Sequence, residues 1–138
     1  NASVHGNETC HHVAYLYNRF GAPERTQRRV HEIMTRCYSA SRKGFDGNED
    51  CGQMSAWYIF CSMGFYPVTV GDNCYEMVSP LYDKIKIRSG ANTITISTSG
   101  RKSADDLIRS IEVDGKPMEG YTLSHDVFLK NSKITIHY

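Results

Sequence analysis

No stretch of the sequence approaches the roughly 20 consecutive apolar residues that a membrane helix needs. An excess of either charge is also missing, since 16 Lys and Arg stand against 15 Asp and Glu. With no basic run, and no Arg or Lys stripe interleaved with aromatics, nothing marks the chain as a binder of nucleic acid. The first residues, Asn-Ala-Ser-Val-His-Gly-Asn-Glu, lack the basic start and apolar centre of a signal peptide. Cysteine pairs are missing as well. Cys10, Cys37, Cys51, Cys61 and Cys74 are odd in number, and none sits at Cys-x-x-Cys spacing, which argues against a zinc site and a disulfide framework. Cys37 and Cys61 fall on apolar helical faces and read as small buried hydrophobes. What remains is 138 residues, enough for one domain or for a small domain joined to a piece of another. A chain of that length can bury about two-thirds of its unfolded surface.

The hydrophobic period changes near residue 65. Before it the period is helical. Val13, Leu16, Tyr17 and Phe20 follow i, i+3, i+4, i+7 and predict one apolar helix face, with Thr9 placed to cap its start and Gly21 to end it. Pro23 suits the first turn of a second helix, whose stripe is Val30, Ile33, Met34, Cys37 and Tyr38. The charges between 27 and 36 lie mostly off that stripe and form a solvated face. Residues 39–52, with three glycines and several short polar side chains, predict an irregular loop. A third helix follows, with Met54, Trp57, Tyr58 and Cys61 on one face and Gly64 at its end. Beyond it, residues 66–70, 74–78, 82–87, 93–97, 111–113 and 133–138 read as short strands, with Ile85 and Ile87 alternating with lysines. Asp114-Gly115 is a hairpin turn dipeptide. The expected class is α+β: a helical segment over 1–64, then an antiparallel sheet or small sandwich over 65–138.

Two segments could carry chemistry. In Asn48-Glu49-Asp50-Cys51-Gly52-Gln53, two carboxylates and an amide precede a helix, with Gly47 and Gly52 free to bring backbone close to a ligand. The helix dipole favours the ionised form of a carboxylate there, which suits a general base or a hard-cation ligand. The simpler reading is that Asp50 caps the third helix. In His5-Gly-Asn-Glu-Thr-Cys-His-His12, Asn7 and Glu8 could present oxygens to a cation, and the simpler reading is an ordinary helix entrance.

Four segments resemble glycoside hydrolase family 92, the calcium-dependent exo-acting α-mannosidases. They are His5-Gly-Asn-Glu-Thr-Cys-His-His-Val-Ala-Tyr-Leu-Tyr-Asn18, Gly47-Asn-Glu-Asp-Cys-Gly-Gln-Met-Ser-Ala-Trp-Tyr-Ile-Phe60, Met63-Gly-Phe-Tyr-Pro67 and Ser79-Pro-Leu-Tyr-Asp-Lys84. The hairpin at Val113–Pro117, with Ser124 and His125 after it, is a looser match. The resemblance implies that the three helices are the last of an (α/α)₆ barrel, with the β segment packed behind them. It further implies hydrolysis of α-mannosides with inversion, which needs an acid on the leaving oxygen and a base on a water across the ring. By resemblance Asp50 stands at the base, with Asn48 in support. Asn7, Glu8 and Asp50 stand near a calcium ion that holds mannose hydroxyls, and Glu8, His11, His12 and Gln53 on the substrate side. The family's general acid falls upstream of these motifs, and Glu8 does not replace it. Thr9-Cys10 departs from the family's usual Pro-Ser.

The resulting expectation is the C-terminal part of an α-mannosidase, α-1,2-directed, acting on terminal mannose of glycans in a periplasmic, cell-surface or secreted setting. By itself the segment is expected to be inactive, and to self-associate through apolar helix faces left without the rest of the barrel. The competing reading is a non-catalytic carbohydrate-binding or structural β module. It would need an aromatic platform on the sheet, where Tyr75, Tyr82, Tyr121 and Phe128 are available but no tryptophan is.

Overall fold

The computed structural model describes residues 5–138. The segment expected to be one long helix is broken. Turns of 3₁₀ helix at Glu8–Cys10 and Val13–Tyr15 lead into a single α-turn, α1 (Leu16–Arg19). The expected apolar face is not the buried one: Val13, Tyr17 and Phe20 are exposed, Phe20 at 81%. Ala14 and Tyr15 are buried in their place, and Asn18 turns inward to donate to Glu76 Oε2 and the Met77 carbonyl. Thr9 does not cap the entrance either, because its hydroxyl donates to Asn7 Oδ1 at 3.2 Å.

Gly21, at φ 73°, ends this segment, and Pro23 opens α2 (Pro23–Arg36), as sequence chemistry requires. Val30, Ile33 and Cys37 are buried, and Glu32 pairs with Arg29 and Arg36 on the outer side. Gln27 is buried too. Its Oε1 accepts the Ile108 N–H at 2.8 Å, tying this helix to the β half. A loop leads to α3 (Gln53–Met63), which buries Met54, Trp57 and Cys61 and ends at Gly64 with φ 94°.

Eight strands follow in two sheets. The smaller has the order β1 (Phe65–Tyr66), β2 (Cys74–Met77), β7 (Thr122–Ser124). The strand expected over 66–70 shrinks to β1, because Pro67 has no N–H to continue the ladder. In the larger sheet the order is β3 (Lys84–Ser89), β4 (Asn92–Ser99), β8 (Ser132–His137), β5 (Ser110–Val113), β6 (Lys116–Pro117). This sheet is mixed rather than antiparallel, because β8 runs parallel to β4. The long excursion between them carries β5, β6 and β7 and supplies the crossover that a parallel pair needs. Asp114 at φ 53° and Gly115 at φ 78° make the predicted tight turn between β5 and β6.

Two apolar clusters meet along α3 and β1. One centres on Ile94, Ile96, Ile134 and Ile136 between the sheets, the other on Tyr15, Val30 and Trp57 among the helices, and Phe60 packs against both. Glu76 lies under α1, only 1% exposed, accepting from Arg19, Asn18 and Thr122. The first helical turn is thus fixed to β2 and β7 through a buried carboxylate whose lone pairs are satisfied, as burial of a charge demands.

Candidate active site

Residues 5–8 and 46–50 are brought together by two glycines. A Cβ on Gly47 would stand 2.5 Å from Gly6 Cα and 2.6 Å from Gly6 O, and Gly47 has φ 94°. Only two bare backbones can pass so closely. The sequence predicted that Gly47 admits a ligand. What it admits is the opposing chain, and that contact sets Glu8 beside Asp50.

Glu8 is held below the usual carboxylate range, first by its own backbone N–H, then by the backbone N–H of Asp50, with His11 adding a favourable potential. Its Oε1 is shielded from solvent and meets no hydrogen-bond donor of good geometry. A shielded carboxylate oxygen without a donor, next to a second carboxyl, is chemically matched to a hard cation. Asn7 is exposed at the start of the same turn. The set is partial: among the described residues no three His, Cys, Asp or Glu side chains converge on one point.

Asp50 does not cap the third helix. The residue before α3 is Gly52, at φ 77°, and no side chain caps it there. Glu49 serves the helix in its place: its Oε1 accepts the Ser55 N–H at 3.1 Å and its Oε2 the Ser55 hydroxyl at 2.7 Å. Asp50 and Asn48 are both exposed on the loop, Asp50 opening the turn Asp50–Gly52, in which Cys51 adopts φ 54°.

Behind this loop lies a wall of aromatic and amide groups. His11 is 2% exposed. Its Nε2–H donates to the His5 carbonyl at 3.0 Å, and its Nδ1 receives Gln53 Nε2 at 3.3 Å. Gln53 also donates to the Tyr66 hydroxyl at 3.0 Å, and the Trp57 indole N–H donates to the His11 carbonyl at 3.1 Å. His5 stacks on His11 with ring centroids 4.6 Å apart. Its Nε2 donates to the Tyr38 hydroxyl at 2.8 Å, which in turn donates to the Met54 carbonyl. Burial, followed by the nearby charges of His11 and Arg29, lowers the His5 pKa to about 4, and burial lowers that of His11.

Of the residues singled out from sequence, the fold therefore joins Glu8 to Asp50 and His11 to Gln53. It leaves Asn7, Asn48 and His12 exposed. His11, with both ring nitrogens engaged, belongs to the wall behind the loop. Sequence reasoning counts Glu49 among the carboxylates of the loop and starts a candidate segment at His5, but it assigns no role to either, nor to Tyr38 or Tyr66. The one available signal was that Glu49 lies six residues before a serine in the first turn of α3.

Residues 1–137 match the Glycosyl hydrolase family 92 catalytic domain. The chain is similar to a family GH92 alpha-mannosidase from Bacteroides thetaiotaomicron, with 38% identity and a TM-score of 0.88, covering 96% of this chain and 18% of that one. A family GH92 inverting mannosidase from the VPI-5482 strain of the same organism is 34% identical with a TM-score of 0.86, over 97% of this chain and 18% of that one. An uncharacterised secreted glycosidase from the fungus Arthroderma benhamiae is 24% identical over 135 residues, 95% of this chain and 17% of its own length. The chain thus spans less than a fifth of each of these relatives.

Proposed function

The chain belongs to glycoside hydrolase family 92, and from that premise we propose that it supplies the general-base side of an inverting α-mannosidase site. The observation that carries this reading is the placement of Glu8 beside Asp50 across the Gly6–Gly47 contact. In this assignment Asp50, exposed on its loop and free of helix-capping duty, takes the proton from a water attacking the anomeric carbon. Asn48, two residues earlier, supports that water. Inversion also requires a general acid across the sugar ring. We assign that acid to a part of the protein preceding these residues, so the 138-residue chain by itself has no turnover.

Asn7, Glu8 and Asp50 would hold a calcium ion, which when bound binds and polarises mannose hydroxyls. Glu8 offers a donorless oxygen for it. Gln53 and His11 fix the floor under this loop, and exposed His12 extends the sugar-facing edge. The substrate is terminal α-mannose of glycans, with α-1,2 linkage as the proposed preference. A secreted, periplasmic or cell-surface setting is in keeping with the fungal relative's description as secreted, and no helix among the described residues is long and apolar enough to cross a membrane.

A sugar-binding β module is less well supported. Phe128 is buried, the Tyr75 hydroxyl is bonded to His125, and the Tyr121 hydroxyl donates to the Ile108 carbonyl. Of the four candidate platform aromatics, Tyr82 alone is a well-exposed ring, at 59%.

In the full-length enzyme, Asp50→Asn is expected to lower kcat on an α-mannoside by about 10²–10⁴-fold with the fold intact by circular dichroism. Exhaustive chelation is expected to abolish activity, and calcium to restore it. Near wild-type kcat in the variant would remove Asp50 from the mechanism, and full activity after chelation would remove the metal.

A further inference from the structure

We propose that Glu49 is a positioning residue whose carboxylate holds the loop that presents Asp50; the inference rests on the base assignment above. Two adjacent carboxylates, Glu49 and Asp50, are chemically eligible for the base, and the fold separates their tasks. Both oxygens of Glu49 are engaged by one residue, Ser55, through its backbone N–H at 3.1 Å and its hydroxyl at 2.7 Å. Ser55 is the third residue of α3, so its N–H is one of the donors that a helix start leaves without an internal partner. The bridge spans six positions and closes a ring over Asp50, Cys51 and Gly52. Inside that ring Cys51 sits at φ 54°, ψ 25° and Gly52 at φ 77°, ψ 13°. Two successive left-handed residues, one bearing a side chain, are not a conformation the chain holds unaided. The Glu49 clamp closes the turn from one side, and the Gly6–Gly47 contact fixes it from the other. Asp50 sits between these two anchors.

The test compares Glu49→Ala, Glu49→Gln and Asp50→Asn in the full-length enzyme. A glutamine keeps Oε1 for the Ser55 N–H, and its amide can donate to the serine hydroxyl oxygen, so the clamp survives without the charge. Glu49→Ala is expected to lower kcat about 10- to 100-fold, as a displaced base would. Glu49→Gln is expected to stay within about threefold of wild type and to keep the limb of the pH–kcat profile that reports the base. Amide exchange at Ser55 should quicken in the alanine variant and not in the glutamine variant. A Glu49→Gln enzyme as inactive as Asp50→Asn would show that Glu49 itself acts on the reacting atoms, overturning the proposal. Wild-type kcat and unchanged Ser55 exchange in Glu49→Ala would overturn it from the other side. Absence of α-mannoside turnover in the wild type would sink the mannosidase reading alone, since Ser55 exchange still decides whether Glu49 holds the loop.

Discussion

Around Ile94, Ile96, Ile134 and Ile136 the centre of the β half is filled by aliphatic side chains, joined by Phe65 and Phe128, none of which carries a hydrogen-bonding group; the polar atoms of Tyr75 and Tyr121 are bonded at its margin. Around Trp57 the helical half is filled by rings, and their polar atoms are tied down one after another: Trp57 to the His11 carbonyl, His11 to Gln53, Gln53 to Tyr66, His5 to Tyr38. An aliphatic core draws its stability from area removed from water and has no directional demand. A hydrogen-bonded aromatic wall is directional, and a lost partner leaves a buried polar group unpaid. The candidate site stands on the directional half. That teaches where precision is placed in this chain: the β half is a support, and the orientation of the Asn48–Asp50 loop is set by hydrogen bonds and by one backbone contact.

The comparison is broken most severely at Gly47. Gly47→Ala puts a methyl group 2.5 Å from Gly6 Cα on a residue at φ 94°, so both the steric and the conformational cost fall on one side chain. The expected loss is about 3 kcal/mol or more, confined to the helical half. Gly6→Ala is milder, because its methyl would stand 3.1 Å from Gly47 Cα. Ile96→Ala in the other half should cost about 2–5 kcal/mol and lower the whole transition. Amide exchange read residue by residue separates the two. Gly47→Ala should expose amides of residues 5–20 and 46–55 first and leave β4 and β8 protected. Equal loss of protection in both halves would mean that they are one cooperative unit.

Much of this contrast was legible beforehand. The alternation of Ile85 and Ile87 with lysines, the Asp114-Gly115 turn and the Pro23 helix start depend on neighbours a few positions away, and they stand as read. The first helical segment departs from its apolar pattern for an identifiable reason. Val13, Leu16, Tyr17 and Phe20 satisfy helical spacing, but the side facing the sheet is selected by Asn18 bonding to Glu76, a polar contact that apolar periodicity cannot register. The pairing of Glu8 with Asp50 spans 42 positions (50 − 8) and depends on two glycines meeting back to back. The sequence shows the conformational freedom of Gly47 but does not name its partner. The parallel β4–β8 pair was hidden likewise, since parallel and antiparallel strands carry the same inward isoleucines.

A moderate effect is expected from acid. The His5 pKa falls from 6.5 to about 4 on folding, so between those values the unfolded chain binds more protons than the folded one. Stability from this group is complete above pH 6.5 and is lost as pH falls towards 4, by at most about 3 kcal/mol. His11 shifts in the same direction through burial. Thermal unfolding measured from pH 7 to pH 4 should show the helical half weakening first. NMR titration should find the His5 ring neutral until about pH 4. Protonation of His5 near pH 6.5 in the folded chain would show that the ring is not enclosed between His11, Tyr38 and Trp57.

The smallest energetic effect, and the most visible in behaviour, is expected on the surface of the first helical segment. Val13, Tyr17 and Phe20 expose 45%, 38% and 81% of their surface, and the Arg25 guanidinium lies 6.0 Å from the centre of the Tyr17 ring. Three exposed apolar side chains within eight residues favour association when they meet water alone. The 138-residue chain should therefore self-associate in solution. Substituting Tyr17→Lys and Phe20→Lys should render it monomeric, because the new ammonium groups, set beside Arg25, repel a second copy. At Phe20, which is 81% exposed, the unfolding free energy should change by no more than about 0.5 kcal/mol, and at the half-covered Tyr17, which also loses its contact with Arg25, by about 1 kcal/mol. The same substitutions in a longer protein should be far more damaging if neighbouring helices cover this face there. Light scattering on the two chains, with denaturant titrations alongside, reads both quantities. A wild-type chain that stays monomeric at high micromolar concentration would show that these exposed rings are not an association surface, and that the β half alone sets the solution behaviour.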